Sequence, residues 1–302
     1  MSAGGRVVVL GSLNADVFAR VERHPRPGET VLGSGGEVRA GGKGANQAAA
    51  AALAGARVVM VGAVGSDAYA AVATGNLAQA GVSLEAVRRV DGPTGLALIT
   101  VSADGENSII VIPGANAQVG EPELAQLDSL DAGDVLVLQG EVPVGAVTAA
   151  AEIAAARGAR VVINLAPVVP LPGGVLRLAD PLVVNEHEGA GALELLDGDP
   201  CGLSPSELCE TLRSRGVPSV VMTLGGEGSL IAAATGPVAQ IPAEKVTVVD
   251  TTGAGDAFAG ALAAGLCNGD DLIEAAHRAT RFAAEAVQHE GAQDSYPDWR
   301  QK

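Results

Sequence analysis

Short, wholly apolar segments alternate with alanine-rich segments of helical length along most of this chain, and this alternation restricts its fold more than any other feature. RVVVLGS (residues 6–12) and ARVVMVGAVG (56–65) show the apolar form, and residues 144–157 show the alanine-rich form. Strands without a polar side are typical of parallel sheets that are covered on both faces. The sequence therefore predicts an α/β fold, a three-layer α/β/α sandwich with a mainly parallel central sheet.

The same two patterns recur to the end of the chain, so the predicted sheet gains several more strands. The further apolar segments are DVLVLQGE (134–141), ARVVINLAP (159–167), PLVVNEHE (181–188), SVVMTLGG (219–226) and VTVV (246–249). The further helix candidates are residues 44–54, 68–80, 205–215, 254–266 and 272–288. We find no linker, repeat or low-complexity tract, and we expect a single domain over residues 1–302.

Two regions, at about residues 13–40 and 95–114, break this rhythm, because each has the pattern strand, turn, strand. ADGEN (103–107) is a good hairpin turn. We expect the two regions to form a small β-sheet that projects from the main layer as a lid. The alternative is that they are ordinary hairpins at the edge of the central sheet.

Composition excludes several classes of function. The 302 residues carry a formal net charge of −16, which argues against nucleic acid as a partner because phosphate backbones need clustered Lys and Arg. No apolar run is long enough to cross a membrane, so we expect no membrane partner. Three scattered cysteines give neither a disulfide framework nor a zinc pattern. We therefore expect a soluble cytoplasmic protein.

Polar residues and glycines follow most of the predicted strands. In an open parallel sheet, ligands bind beyond the carboxyl ends of the strands, so these residues are candidates for a site. They are Asn14, Asp16, Glu141, Asn185, Glu188, Thr223, Gly225, Gly228 and Asp250.

DTTGAGDAFAGAL (250–262) is the strongest candidate for chemistry. Gly253, Ala254 and Gly255 let the backbone approach a ligand closely, and a helix that begins there offers unpaired N–H groups and a partly positive end. These features favour a phosphoryl group. Asp256 in the first turn has two interpretations. It is the base of a phosphoryl transfer, or it merely stabilises the helix dipole.

GGKGAN (41–46) contains Gly-Lys but is not a P-loop, because Glu37 replaces the first glycine of that motif and Gly44 follows Lys43. Lys43 and Asn46, with Asn14 and Asp16, offer alternating donors and acceptors that suit a polyhydroxyl compound. An equally acceptable interpretation is a glycine-rich turn followed by a helix cap. No G-x-G-x-x-G follows the first strand, which argues against a nicotinamide-dependent dehydrogenase.

Seven motifs occur in a fixed order over nearly the whole chain. They are GSLNAD (11–16), GGKGANQA (41–48), VGAVGSD (61–67), NEHE (185–188), TLGGEG (223–228), DTTGAGDAF (250–258) and GAQDS (291–295). The ordered set closely resembles the pfkB-type family of carbohydrate and nucleoside kinases. GSLNAD together with GGKGANQA points to the D-ribose kinases within it.

This resemblance implies transfer of the ATP γ-phosphoryl group to the 5-hydroxyl of D-ribose, in a homodimer paired through the β lid. Asp256 would be the base, and the N–H groups of Gly253, Ala254 and Gly255 would form the anion hole. The ribose would be held by Asn14, Asp16, Gly42, Lys43, Asn46, Glu141 and Asp256. The nucleotide side would comprise Asn185, Glu188, Thr223, Gly225, Gly228, Gly255 and Thr280.

The resemblance also implies two cations. Mg²⁺ would accompany ATP, organised by Asn185 and Glu188. K⁺ would bind beside the anion hole as an activator, mostly through backbone carbonyls. Its ligands would be Asp250, Thr252, Ala286, His289, Gly291 and Ser295.

Two rival functions stay open. The first is another kinase of the same family, such as a fructokinase or an adenosine kinase. An adenosine site would want aromatic stacking, and only 2% of the residues are aromatic. The second is a catalytically silent sugar-binding regulator. The intact GAGD (253–256) argues against this function.

Overall fold

The computed structural model describes residues 4–300, which form one nine-stranded and one four-stranded sheet. The strands are β1 (Val7–Leu10), β2 (Asn14–Val21), β3 (Gly33–Gly41), β4 (Val58–Val64), β5 (Ser83–Arg89), β6 (Gly95–Ser102), β7 (Asn107–Ile112), β8 (Val135–Leu138), β9 (Arg160–Asn164), β10 (Leu182–Asn185), β11 (Val220–Thr223), β12 (Ser229–Ala232) and β13 (Ala239–Ile241). The α-helices are α1 (Lys43–Leu53), α2 (Tyr69–Ala80), α3 (Glu121–Leu124), α4 (Val144–Ala156), α5 (Gly173–Leu176), α6 (Glu186–Glu194), α7 (Pro205–Ser214), α8 (Ala254–Cys267) and α9 (Leu272–Ala286).

The large sheet has the strand order β13-β12-β11-β10-β9-β8-β1-β4-β5. Its strands from β11 to β5 pair in parallel, and β12 and β13 add an antiparallel edge. The prediction of a mainly parallel central sheet is confirmed. Because helices join the parallel strands, the strand carboxyl ends meet at one edge, where ligands of such sheets bind.

Two apolar cores lie on opposite faces of this sheet, as the wholly apolar strands require. In β1, Val7 and Val9 face the core formed with α1, α2, α8 and α9. Val8 and Leu10 face the core formed with α4, α6 and α7. Successive side chains of a strand point to opposite faces, so in a strand covered on both sides every side chain is buried and tends to be apolar. The three-layer sandwich is confirmed.

The two irregular regions join in a separate small sheet with the order β3-β2-β6-β7. Within each region the strands pair antiparallel, and β2 and β6 pair in parallel at the centre. Asn14 at the start of β2 pairs with both Gly41 and Gly95, so this sheet begins beside the end of β1. An accessory sheet forms, as predicted, rather than two edge hairpins on the main layer.

One predicted strand is wrong. Residues 246–249 (VTVV) form no strand, and the segment continues without regular structure to the start of α8. Val249 and Asp250 each donate their backbone N–H to the Val287 carbonyl, which satisfies the chain without a sheet partner. Val246 and Val248 line a surface groove instead of a core. Apolar character alone did not distinguish a groove wall from a strand.

Among residues 4–300, no helix combines the length and the apolar character that a membrane span requires.

Candidate active site

The first turn of α8 holds Asp256 at the carboxyl edge of the sheet. Gly253 precedes this helix in the left-handed conformation, with φ 72°, which favours a residue without a Cβ. The Asp256 side chain is 5% exposed. Its Oδ2 accepts a hydrogen bond of 2.9 Å from Asn46 Nδ2, and its Oδ1 accepts one of 2.9 Å from Gln47 Nε2. The carboxylate is thus held by one donor on each oxygen.

The turn before α1 explains the glycines of GGKGAN. Gly42 has φ 88°, and an added Cβ there would lie 2.8 Å from the backbone nitrogen of Asn14. Only glycine therefore allows the turn to pack against the start of β2. The backbone N–H of Lys43 donates to Glu141 Oε2 at 3.0 Å, and Ser12 Oγ donates to the same oxygen at 2.6 Å. The motif is a tight turn that presents Lys43, and also the start of a helix.

Acidic side chains gather around Lys43. Burial, and then the charges of Glu141 and Asp256, together raise the pKa of Asp16 from 3.8 to about 7. Among the described residues, the buried Oδ1 atom of Asp16 has no hydrogen-bond partner. The charge of Asp256 raises the pKa of Lys43, burial opposes that rise, and Glu141 adds to it. A buried acceptor without a donor is costly, so this cluster suits a ligand that brings hydroxyl donors.

Asn14 and Asn46, both predicted to bind the sugar, are buried and already take part in hydrogen bonds within the protein. Asn14 Oδ1 accepts from Asn116 Nδ2 at 2.7 Å. Asn46 Oδ1 accepts from Gln293 Nε2 at 2.9 Å, while its amide nitrogen holds Asp256. The structure therefore places Asn46 against the Asp256 carboxylate.

A cavity of about 180 Å³ lies in front of α8. The predicted site residues on its wall are Lys43, Asn185, Glu188, Thr223, Gly253, Ala254, Gly255 and Asp256. Asn185 and Glu188 also cap α6, because Asn185 Oδ1 accepts from the Glu188 N–H and Glu188 Oε2 accepts from the Asn185 N–H. Burial raises the pKa of Glu188, against the opposing effect of the Asn185 N–H. The N-x-x-E element thus has a structural role whatever it binds.

A second groove of about 260 Å³ adjoins the first cavity. The two share Thr223, Thr251, Ala254 and Gly255 as lining residues. The outer part is walled by Gly225, Gly228 and Thr280 with Val246, Val248, Phe258 and Val287. Ligand sites are commonly apolar clefts with a few convergent polar groups, and this groove has that character. It leads to the N-terminus of α8, where an anion is favoured.

The residues predicted to hold a monovalent cation lie in two adjoining segments. Asp250 accepts hydrogen bonds from the N–H and hydroxyl of Thr252 and from the Gly291 N–H at 2.8 Å. Ala286 accepts from the His289 N–H, and Ser295 donates to the Ala292 carbonyl. Within residues 4–300, no three His, Cys, Asp or Glu side chains gather as a metal site. A cation held mainly by backbone carbonyls needs no such cluster.

Buried amides that the sequence motifs did not predict surround Asp256. Gln47 contacts Asp256 directly, Gln293 contacts Asn46, and Asn164 lines the smaller cavity. Asn164 and Gln139 each follow the apolar part of a predicted strand, so the strand-end rule already contained a signal for them. Gln47 and Gln293 lie within motifs, but nothing local indicates that their side chains point inward.

Residues 5–299 match the family model described as pfkB family carbohydrate kinase. The chain belongs to this family. Its relatives include the ribokinase of Schizosaccharomyces pombe, 36% identical over 96% of this chain and 94% of that protein. The ribokinase of Staphylococcus aureus is 37% identical over 97% of this chain and 96% of the relative.

A solved structure of the Arabidopsis thaliana ribokinase, complexed with ribose and ATP, superposes on this pfkB-family chain with a TM-score of 0.88. The two are 32% identical, and the match covers 98% of this chain and 96% of the other. The α/β sandwich and the small second sheet are therefore those of the family.

Proposed function

We propose that this pfkB-family enzyme transfers the γ-phosphoryl group of ATP to the 5-hydroxyl of D-ribose, giving D-ribose 5-phosphate and ADP. The relatives and the ribose- and ATP-bound neighbour support this activity. One observation on this chain carries the proposal. Asp256 and the N-terminus of α8 lie in the smaller cavity, between the acidic cluster around Lys43 and the apolar groove. An acceptor alcohol and a terminal phosphate would meet there.

The sugar binds, in this proposal, at the end formed by α1 and the start of β2. Asp16 and Glu141 accept from its hydroxyls, and Lys43 donates. A small polyol satisfies such alternating groups, whereas an apolar ligand would leave them unpaired at a cost of ~1–3 kcal/mol each. The full set proposed to hold the sugar is Asn14, Asp16, Gly42, Lys43, Asn46, Glu141 and Asp256.

ATP lies in the larger groove with its γ-phosphate at the N-terminus of α8. The residues proposed to contact it are Asn185, Glu188, Thr223, Gly225, Gly228, Gly255 and Thr280. The N–H groups of Gly253, Ala254 and Gly255 are proposed to donate hydrogen bonds to the oxygens of the transferring phosphoryl group, which stabilises the charge that grows there. Asp256 accepts the 5-hydroxyl proton. The freed oxygen bonds to the γ-phosphorus, and the bond to the β–γ bridging oxygen breaks.

Two cations complete the proposed site. Mg²⁺ bound with ATP would neutralise phosphate charge, and we propose that Asn185 and Glu188 would organise it. K⁺ is proposed beside the anion hole, held by Asp250, Thr252, Ala286, His289, Gly291 and Ser295. The hydrogen bond from Gly291 to Asp250 supports this placement, because it joins the two segments that supply these residues.

The small sheet is proposed both as a lid over the sugar and as the surface that pairs two subunits. In β7, Ile109, Ile110, Val111 and Ile112 are between 39% and 61% exposed. A row of exposed large apolar side chains marks an interaction surface. We propose that the protein is a homodimer and that it is cytoplasmic. Its three free cysteines agree with a reducing compartment such as the cytoplasm.

An acceptor panel tests the activity. With ATP, Mg²⁺ and K⁺, D-ribose is expected to give the highest kcat/KM among ribose, 2-deoxyribose, fructose and adenosine. Preference for fructose or adenosine would move the enzyme to another branch of the family. Binding of ribose without turnover would indicate a silent regulator.

A further inference from the structure

Helices α1 and α8 approach each other unusually closely beside Asp256. Gly260 in α8 faces α1, and an added Cβ there would lie 2.4 Å from the Gln47 carbonyl oxygen. This absence of a side chain lets the two helices meet with their N-terminal turns together. Gln47 of α1 thereby lies beside the first turn of α8, with its side chain 0% exposed.

The Gln47 amide is fully engaged at a junction of four elements. Its Nε2 donates to Asp256 Oδ1 and to Asn164 Oδ1, each at 2.9 Å. Its Oε1 accepts from Gln139 Nε2 at 2.8 Å. Asn164 ends β9 and in turn donates to the Val183 carbonyl at 3.1 Å. The Gln47 amide is therefore held in place by side chains at the strand ends of the sheet, and through its hydrogen bond it holds Asp256 in place.

Charged groups from several elements surround Asp256. Asp16 from β2, Glu141 after β8 and Glu188 from α6 are acidic, and Lys43 from α1 is the opposing cation. On the side of the C-terminal segment, burial and then the charge of Asp256 raise the pKa of Tyr296 well above its usual value. A hydrogen bond donated to the charged form favours the carboxylate. The Gln47 amide is neutral, so it donates such a hydrogen bond without cancelling the negative charge of the carboxylate.

We infer that Gln47 is a positioning residue for phosphoryl transfer, because its amide fixes the plane of the Asp256 carboxylate. Asn46 and Gln47 each take one lone pair on a different oxygen, so the carboxylate cannot rotate without losing a buried hydrogen bond. The remaining lone pairs keep a constant direction toward the acceptor hydroxyl. Correct placement of reacting groups is worth large factors in rate. This inference rests on the proposed role of Asp256 as the base.

Two substitutions of Gln47 distinguish its effect on the orientation of the Asp256 carboxylate from the effect of a nearby charge. Gln47→Met keeps the length of the side chain and removes its donors. Gln47→Glu keeps its shape and places a second acid against Asp256. For Gln47→Met we expect kcat to fall roughly 10–100-fold, with the KM for ATP within a few-fold of the wild-type value. In a plot of its kcat against pH, the pH at which kcat falls on the acidic side rises by on the order of one pH unit. For Gln47→Glu the upward shift is larger.

Gln139→Met is the matched control. It removes the donor to Gln47 Oε1 at an equally buried position, but it does not remove the donor to Asp256. Its stability is expected to fall as in Gln47→Met, while its pH profile stays at the wild-type position. Thermal unfolding of each variant checks that it is folded, and if Gln47→Met does not fold, Gln47→Glu decides.

The outcomes separate this inference from the function on which it rests. Wild-type enzyme that fails to phosphorylate ribose contradicts the proposed function. Active wild-type enzyme with folded Gln47 variants whose pH profiles coincide with its own overturns the role of Gln47 alone. If the pH profile of kcat shifts as far in Gln139→Met as in Gln47→Met, the role of Gln47 is also overturned. The change in the profile would then result from a general structural disturbance.

Discussion

We expect turnover to depend more on Asp256 than on any other residue. Asp256→Asn keeps the size of the side chain but removes the proton acceptor. We expect kcat to fall roughly 10²–10⁴-fold, with ribose affinity within a few-fold of wild type. Steady-state kinetics and ribose titration measure the two effects. Near wild-type turnover in the variant would show that the base is another group.

We expect Asp16 to make ribose binding depend on pH. Its pKa is raised to about 7, mainly by burial, so it is largely protonated in the free enzyme below that pH. A protonated carboxyl is a poorer acceptor for sugar hydroxyls. We expect the KM for ribose to rise as the pH falls from 8 to 6, while the KM for ATP changes little. A flat KM for ribose over this range would contradict the assignment.

The same shift predicts that Asp16 costs stability. Its folded pKa lies above its unfolded value of 3.8, so the folded state binds the extra proton between these values and stability falls as pH rises through about 7. Asp16→Asn should therefore raise the free energy of unfolding at pH 8, by on the order of 1–3 kcal/mol, and abolish ribose binding. At pH 4 the two proteins should be equally stable. Denaturant unfolding at both pH values measures the difference.

Lys43 tests which end of the cleft holds the sugar. Lys43→Ala removes a donor that faces Asp256 and Glu141, so ribose is expected to bind more weakly by a larger factor than ATP. Separate titrations with ribose and with a non-hydrolysable ATP analogue give the two affinities. The opposite ranking would place Lys43 on the phosphates.

At the scale of elements, the loop before α8 and the turn after α9 are proposed to bind K⁺ together. The backbone of Val287 accepts from both Val249 and Asp250, which ties this turn to the anion hole. We expect kcat to be several-fold higher in KCl than in NaCl at equal ionic strength. Asp250→Ala should remove the difference between the salts. Equal rates in both salts for the wild-type enzyme would exclude the cation site.

At the scale of the whole molecule, the exposed face of β7 predicts the oligomeric state. Ile110 is 61% exposed, and Ile110→Lys should place a charge in the proposed subunit interface and give monomers. Ile273→Lys is the matched control, since Ile273 is 41% exposed on α9, away from the small sheet. Sedimentation velocity distinguishes the species. A dimer that survives Ile110→Lys would place the interface elsewhere.

The sequence alone determined the layers of the fold and the residue types of the site. Wholly apolar segments such as those of β1 and β8, alternating with helical segments, favour a sheet covered on both faces, so local pattern predicted the layers. The polar strand ends and the first turn of α8 followed from the geometry of parallel sheets. Asp256 could be named because a helix N-terminus preceded by small residues is visible in a local sequence window.

Only the tertiary structure decided which groups surround those residues. The contacts of Gln47 and Asn46 with Asp256 span 209 and 210 positions of sequence, and no local pattern encodes them. The segment 246–249 was mistaken for a strand because its valines line a groove, and groove and core differ only in what packs against them. Long-range packing also set the raised pKa of Asp16, because burial there results from elements that are distant in sequence.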